Sequence, residues 1–364
     1  MKTETNKLYT LLPLFAAIVS MIFGYYLLGC ILLLVFGVVS YRLTCTPHGK
    51  LSYLAAMSLN FTTFGYRYKP DSAIDFHLPL PINLLFPLSS LLPNESVAKT
   101  EDIKVKGGDG EIPARVYWPR KTAECHGSLP VIVYFHGGGF VVGSVNDFDD
   151  LTRSLANATH AIVVSVEYRL APRHPYPAAI EDGCAAVRWV AENAESLGAD
   201  PEKLVIAGDS AGATISAVVT HLMQENDDPK ITGQILYYPH TDLRGTPYDS
   251  FVKFRDGYGL SSEMIDGFHE AYLGHVDDLS HPYVSPLLTE NFKNLPPALI
   301  VTAGFDPLHN SGELYAKKLS ENHVPVTYFD YKDMIHGFIS IRFFPQRRDV
   351  FAQTGKFIDR LFQR

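Results

Sequence analysis

The chain has 364 residues, 46% of them hydrophobic and only 19% charged, with a formal charge of −8 and a pI near 5.9. That length supports one large domain plus an accessory segment, with enough buried surface for a substantial core. The acidic balance, without any Lys/Arg cluster interleaved with aromatics, excludes a nucleic-acid partner, because a phosphate backbone is held by a basic field.

The predicted elements begin with an apolar run over 8–40 that contains no charged residue. Its 33 residues would make a helix of roughly 50 Å, against a hydrocarbon layer of about 30 Å. Residues 1–42 are therefore expected to form a membrane anchor in contact with lipid through 8–40, read equally as one tilted span or as a hairpin turning near 24–29. Cleavage as a signal peptide is disfavoured, because the run is longer than an h-region and no small-residue AxA site follows. The Leu27-Leu28-Gly29-Cys30 sequence is like a lipoprotein cleavage box, but a second apolar stretch follows it where such proteins turn polar. Lys2 and Lys7 on one flank balance Arg42 and Lys50 on the other, so the charges set no orientation.

Residues 43–99 read as a juxtamembrane and cap region, rich first in Tyr and Phe (51–68) and then in Pro and Leu (76–93). From about residue 100 short β-branched runs alternate with longer amphipathic stretches, which is the pattern of an α/β domain with a mostly parallel sheet. Buried strands are expected at 131–135, 161–167, 204–207, 234–237, 298–303 and 326–331, and helices at 177–196, 211–224, 311–322 and 348–362. Four cysteines (Cys30, Cys45, Cys125, Cys184) lack CxxC spacing, and the 14 histidines lack HxxxH or HExxH pairs, so neither a disulfide framework nor a metal site is expected.

Three segments carry chemistry. Gly208-Asp209-Ser210-Ala211-Gly212 matches GxSxG directly after one predicted strand and directly before a predicted helix, where a sharp turn holds a serine hydroxyl above the sheet. His136-Gly137-Gly138-Gly139-Phe140 follows another strand, and its glycines expose backbone amides. With Ala211, Gly137 and Gly138 are the expected oxyanion donors for a tetrahedral intermediate. A serine needs a base oriented by a carboxylate. Asp306 and His336 each follow a predicted strand, in the order Ser, Asp, His, and are the expected partners; His309, His323, Asp330 and Asp333 compete with them in the same region.

HGGGF (136–140), YRLAPRHPYPAA (168–179), GDSAG (208–212), DPL (306–308) and IHGF (335–338), in this order, resemble the hormone-sensitive-lipase-like family of α/β-hydrolases, including the bacterial family IV esterases. The resemblance covers about 100–364 and implies an α/β-hydrolase fold: a mostly parallel central sheet with flanking helices, and a helical cap completed by an insertion at about 242–290. It implies Ser210, Asp306 and His336 as the triad, Gly137, Gly138 and Ala211 as the oxyanion hole, and a small-molecule ester of short to medium acyl chain as substrate, without any cofactor. The sequence departs from the family pattern at Ala213, at 309–311 and in its N-terminal apolar run. The rival activities are an amidase or deacetylase on a small molecule or sugar. From another class comes a ligand-binding pseudoenzyme, against which His336 stands.

Overall fold

In the computed structural model the described residues are 16, 19, 26–42, 44–46, 48–52, 55, 94–120, 128–225, 228–245 and 248–363. In chain order they form α1 (Tyr26–Arg42), β1 (Cys45–Thr46), β2 (Gly49–Lys50), β3 (Lys99–Gly107), β4 (Gly110–Trp118), β5 (Leu129–Phe135), α2 (Asp149–Thr159), β6 (Ile162–Val166) and α3 (Ala178–Leu197). There follow β7 (Ala199–Asp209), α4 (Ala211–Glu225), β8 (Gly233–Tyr237), α5 (Asp249–Lys253), α6 (Ser262–Leu273), β9 (Ala298–Phe305), α7 (His309–Glu321), β10 (Val326–Ile335) and α8 (Pro345–Leu361).

The central strands are apolar on both faces, and that is why they lie inside. In β5, Val131, Val133 and Phe135 join one core cluster while Ile132 and Tyr134 join another, as the two-residue side-chain period requires. The first cluster is closed by α3 and α4 through Val187, Val190, Ile215 and Val218. The second is closed by α2 and α8 through Leu151, Leu155, Phe351 and Ile358. A third cluster packs Tyr315 and Leu319 of α7 against Leu236 and Ile300.

These layers enclose an eight-stranded sheet of order β10-β9-β8-β7-β5-β6-β4-β3. Pairings from β10 through to β6 are parallel, and β4 and β3 are added antiparallel at one edge. All six expected strands are present. Strands β3 and β4 were not expected: Lys99–Gly107 at the sheet edge is charged and mostly exposed, and Gly110–Trp118 beside it mixes exposed and buried residues instead of forming an apolar run. Helix α2 was also unexpected: its only large apolar side chains are Leu151 and Leu155, so its buried stripe is narrow.

The parallel strands place all their C-terminal ends on one edge, where the loops after β5, β7, β8, β9 and β10 converge. Between β8 and β9 the chain leaves the sheet and forms α5 and α6. At the N-terminal end the β1–β2 hairpin sits against this same region. The Ser52 N–H donates to Asp333 O at 2.9 Å, and the His48 ring meets Phe254 edge-on at 5.6 Å.

Helix α1 has 17 residues, about 25 Å at 1.5 Å per residue. Among the described residues no helix is long and apolar enough to cross a membrane, so the expected span over 8–40 is not found there. The rest of that run, and most of the expected cap region at 43–99, lies outside the described residues.

Candidate active site

Ser210 stands between β7 and α4 with φ of +53°, a left-handed conformation for a residue with a side chain. Such a conformation costs of the order of 1–3 kcal/mol and persists only where the surroundings impose it. Here the Ser210 N–H donates to Tyr237 O at 2.9 Å, and the Thr214 N–H donates to Ser210 O at 3.1 Å. The flanking glycines are sterically required. A Cβ on Gly212 would lie 1.9 Å from Phe135 O, and one on Gly208 would lie 2.3 Å from the Gly212 carbonyl carbon.

Two loops bring the other expected residues to this turn. The His336 Nε2 lies 2.9 Å from Ser210 Oγ, and its Nδ1 lies 2.7 Å from Asp306 Oδ2. Asp306 is fully buried, and its second oxygen accepts the Leu308 N–H at 2.8 Å. An ionised carboxylate only accepts, so it selects the tautomer with the proton on Nδ1 and leaves Nε2 to accept from the serine hydroxyl. The buried Tyr238 ring backs the imidazole, with centroids 4.6 Å apart. The competing residues lie elsewhere: His309 donates from Nδ1 to Ala303 O at 3.0 Å, and His323 is exposed beyond α7. Asp330 sits 3.4 Å from the Thr302 hydroxyl, and Asp333 accepts from Gln346.

The glycine loop requires a correction. The Gly137 N–H is not available to an oxyanion, because it donates to Asp209 Oδ1 at 2.8 Å and the residue is buried. The next two glycines, Gly138 and Gly139, are half-buried with φ of +117° and +61°. Gly139 and Ala211 line the cavity at Ser210. The amides left as candidates to receive a charge are those of Gly138, Gly139 and Ala211, the last opening α4 with no partner one turn earlier. The loop is braced from behind. The Tyr168 hydroxyl donates to His136 O at 2.8 Å, and the Ala171 N–H donates to Phe140 O at 2.9 Å. The His136 ring lies between Phe148 and Tyr168, with centroids at 5.3 and 4.5 Å.

A model of the alpha/beta hydrolase fold family matches residues 132–340, a stretch that holds every group just described. The chain belongs to the hormone-sensitive-lipase-like α/β-hydrolases. It is 42% identical over 239 residues to "Esterase LipI" of Mycobacterium tuberculosis, covering 65% of this chain and 74% of that protein. It is 36% identical over 255 residues to an "Arylesterase" of Saccharolobus solfataricus, covering 69% and 81%. Among solved structures, an esterase of the archaeon Pyrobaculum calidifontis aligns with a TM-score of 0.71 at 38% identity, covering 77% of this chain and 90% of that one.

Within this hydrolase the departures from the family pattern leave the site intact. Ala213 is fully buried among Leu236 and Ile300, where its methyl fills core space. The buried Ser311 hydroxyl donates to Leu308 O at 3.0 Å in the first turn of α7. Sequence reasoning missed several residues at the hydrolase site. Asp209 was only the variable position of GxSxG, yet it also accepts the Tyr134 hydroxyl at 2.5 Å, and burial pushes its carboxyl up to about 6. His240 after β8, and Ile265, Phe268 and His269 of α6, line the cavity with Ser210. The last three recur at i, i+3 and i+4, a helical face that was legible as a pattern but not as a destination.

Proposed function

We propose that this carboxylic-ester hydrolase works through Ser210 as nucleophile and an acyl-enzyme intermediate. The observation that carries the reading is the unbroken chain from Ser210 Oγ through His336 to Asp306, at 2.9 and 2.7 Å. Ser210 attacks the acyl carbon as its proton passes to Nε2 of His336. Asp306 holds the imidazole and stabilises the cation that forms. The negative charge on the former carbonyl oxygen is received by the N–H groups of Gly138, Gly139 and Ala211. The tetrahedral species then expels the alcohol, which takes the proton from His336. Water repeats the sequence on the acyl-enzyme and releases the acid.

The proposed substrates are small esters of short to medium acyl chain. The space at Ser210 is walled by Phe140, Leu260, Ile265, Phe268 and Leu308, an apolar lining that supports a substrate with alkyl character. In this reading the insertion at 242–290 serves as part of the cap, since α6 supplies one wall. The N-terminal run is proposed to contact lipid: Leu28, Ile31, Leu34 and Val38 are exposed at helical spacing along α1.

The test is Ser210→Ala. The variant should fold normally, lose hydrolysis of p-nitrophenyl acetate and escape labelling by a fluorophosphonate. Labelling of the variant at the wild-type rate would place the nucleophile elsewhere.

A further inference from the structure

The wall of the cavity at Ser210 carries two polar side chains that the proposed mechanism does not use. His240 follows β8, and its carbonyl accepts the Thr214 hydroxyl at 2.7 Å, so its backbone is tied to the helix that begins beside the nucleophile. His269 projects from α6 beside Phe268, whose ring sits so close to Gly139 that a Cβ there would meet it at 2.3 Å. Both rings line the cavity, and they are joined to each other: Nε2 of His269 lies 3.4 Å from Nδ1 of His240, with the rings inclined by 17°.

The pair is uncharged at neutral pH. Burial holds His269 down at about 4 and His240 well below the ordinary imidazole value. The nearest carboxylate does not offset this, because Asp242 is turned to Arg244 at 2.8 Å and to the Tyr248 hydroxyl at 2.5 Å. Two neutral imidazoles hold two N–H groups and two lone pairs, and the contact between them uses one of each. His240 is also hydrogen-bonded to the backbone of Asp242. The ring nitrogen of the pair left for a further partner is then Nδ1 of His269, since Nε2 faces His240. The rest of the lining, Phe140, Leu260, Ile265, Phe268 and Leu308, is apolar.

The geometry points to a substrate class: the part of the ester that occupies this cavity carries a hydroxyl group, which hydrogen-bonds to His269. This rests on the hydrolase reading of Ser210 given above. A plain alkyl group in the same place would strip that nitrogen of water and give nothing back, so the hydroxylated ester is preferred. The hydroxyl belongs either to the acyl half, as in a hydroxy acid ester, or to the alcohol half, as in a polyol ester.

Two matched pairs separate these sources: methyl 3-hydroxybutyrate against methyl butyrate, and glyceryl monobutyrate against propyl butyrate. In the wild-type protein kcat/KM should favour the hydroxylated member of one pair by about tenfold, the effect of one well-placed hydrogen bond, and the pair that responds identifies the half. His269→Phe should bring that ratio towards one, while His269→Gln, which keeps an acceptor oxygen, should retain part of it. A wild-type ratio at or below one in both pairs would overturn the inference, whether or not any variant folds, and so would a ratio that His269→Phe leaves unchanged. The hydrolase reading fails separately. If the wild-type protein neither turns over any of the four esters nor is labelled at Ser210 by a fluorophosphonate, that reading falls and this inference falls with it.

Discussion

Gly137 and Asp209 are joined by a hydrogen bond from the glycine N–H to the carboxylate Oδ1, 2.8 Å long, which ties the glycine loop after β5 to the residue just before the serine. The same oxygen accepts the Tyr134 hydroxyl, so one buried carboxylate fixes the distance between the nucleophile turn and the amides that face it.

Asp209→Ala would leave both donors buried without an acceptor. The expected result is a loss of about 2–4 kcal/mol in urea unfolding and a fall in kcat of the order of 100-fold, with KM little changed. Asp209→Asn, which keeps an acceptor oxygen, should retain most of kcat. An Asp209→Ala protein with reduced stability but wild-type kcat would show that the carboxylate supports the fold alone.

Asp306→Asn keeps the contact with the Leu308 N–H but reverses the hydrogen-bond pattern offered to His336. The imidazole is then favoured in the wrong tautomer, and kcat should fall by roughly 10³–10⁴. Circular dichroism and unfolding midpoint should stay near wild type. Activity within tenfold of wild type would remove Asp306 from the proposed mechanism.

Stability should fall as the pH is lowered below neutrality. Burial holds His136 and His221 down at about 4, below an ordinary value near 6.5. The unfolded chain therefore binds protons below pH 6.5 that the folded protein refuses until about 4, and stability present above 6.5 is lost between these values. Asp209 acts in the opposite sense: pushed up to about 6, it keeps a proton that the unfolded chain releases above 3.8, so the fold gains as pH falls through that window. His240 and His269 act in the same sense as His136 and His221, so four desolvated histidines outweigh one carboxyl and the net loss from pH 7 to 4.5 should be several kcal/mol. Urea midpoints across this range measure it; a midpoint that rises on acidification would contradict the balance.

A chain beginning at residue 43 retains the β1–β2 hairpin and all the proposed site residues but lacks the exposed apolar side chains of α1. It should leave the membrane fraction when expressed beside the full chain, and still be labelled at Ser210. Equal partitioning of the two forms would refute the lipid contact.

The central strands and the three reacting residues were legible in the sequence for local reasons. Strands buried on both faces are written as unbroken apolar runs, and a serine on a strand-to-helix turn needs small residues on either side of it, at Gly208 and Gly212. Asp306 and His336 could be named because parallel strands bring their C-terminal ends to one edge. Strands β3 and β4 escaped notice because a strand with an exposed face needs no apolar run.

Which amide does what was decided only by the tertiary structure. HGGGF presents three equivalent glycines in sequence, and nothing within it says that Gly137 turns its N–H to a carboxylate 72 positions later while Gly139 lines the cavity. The meeting of His240 with His269 is likewise invisible along the chain, since it depends on how α6 folds back over the sheet edge. A local sequence pattern encodes backbone shape and burial, whereas hydrogen-bond partners between distant segments are set by where the packed layers place them.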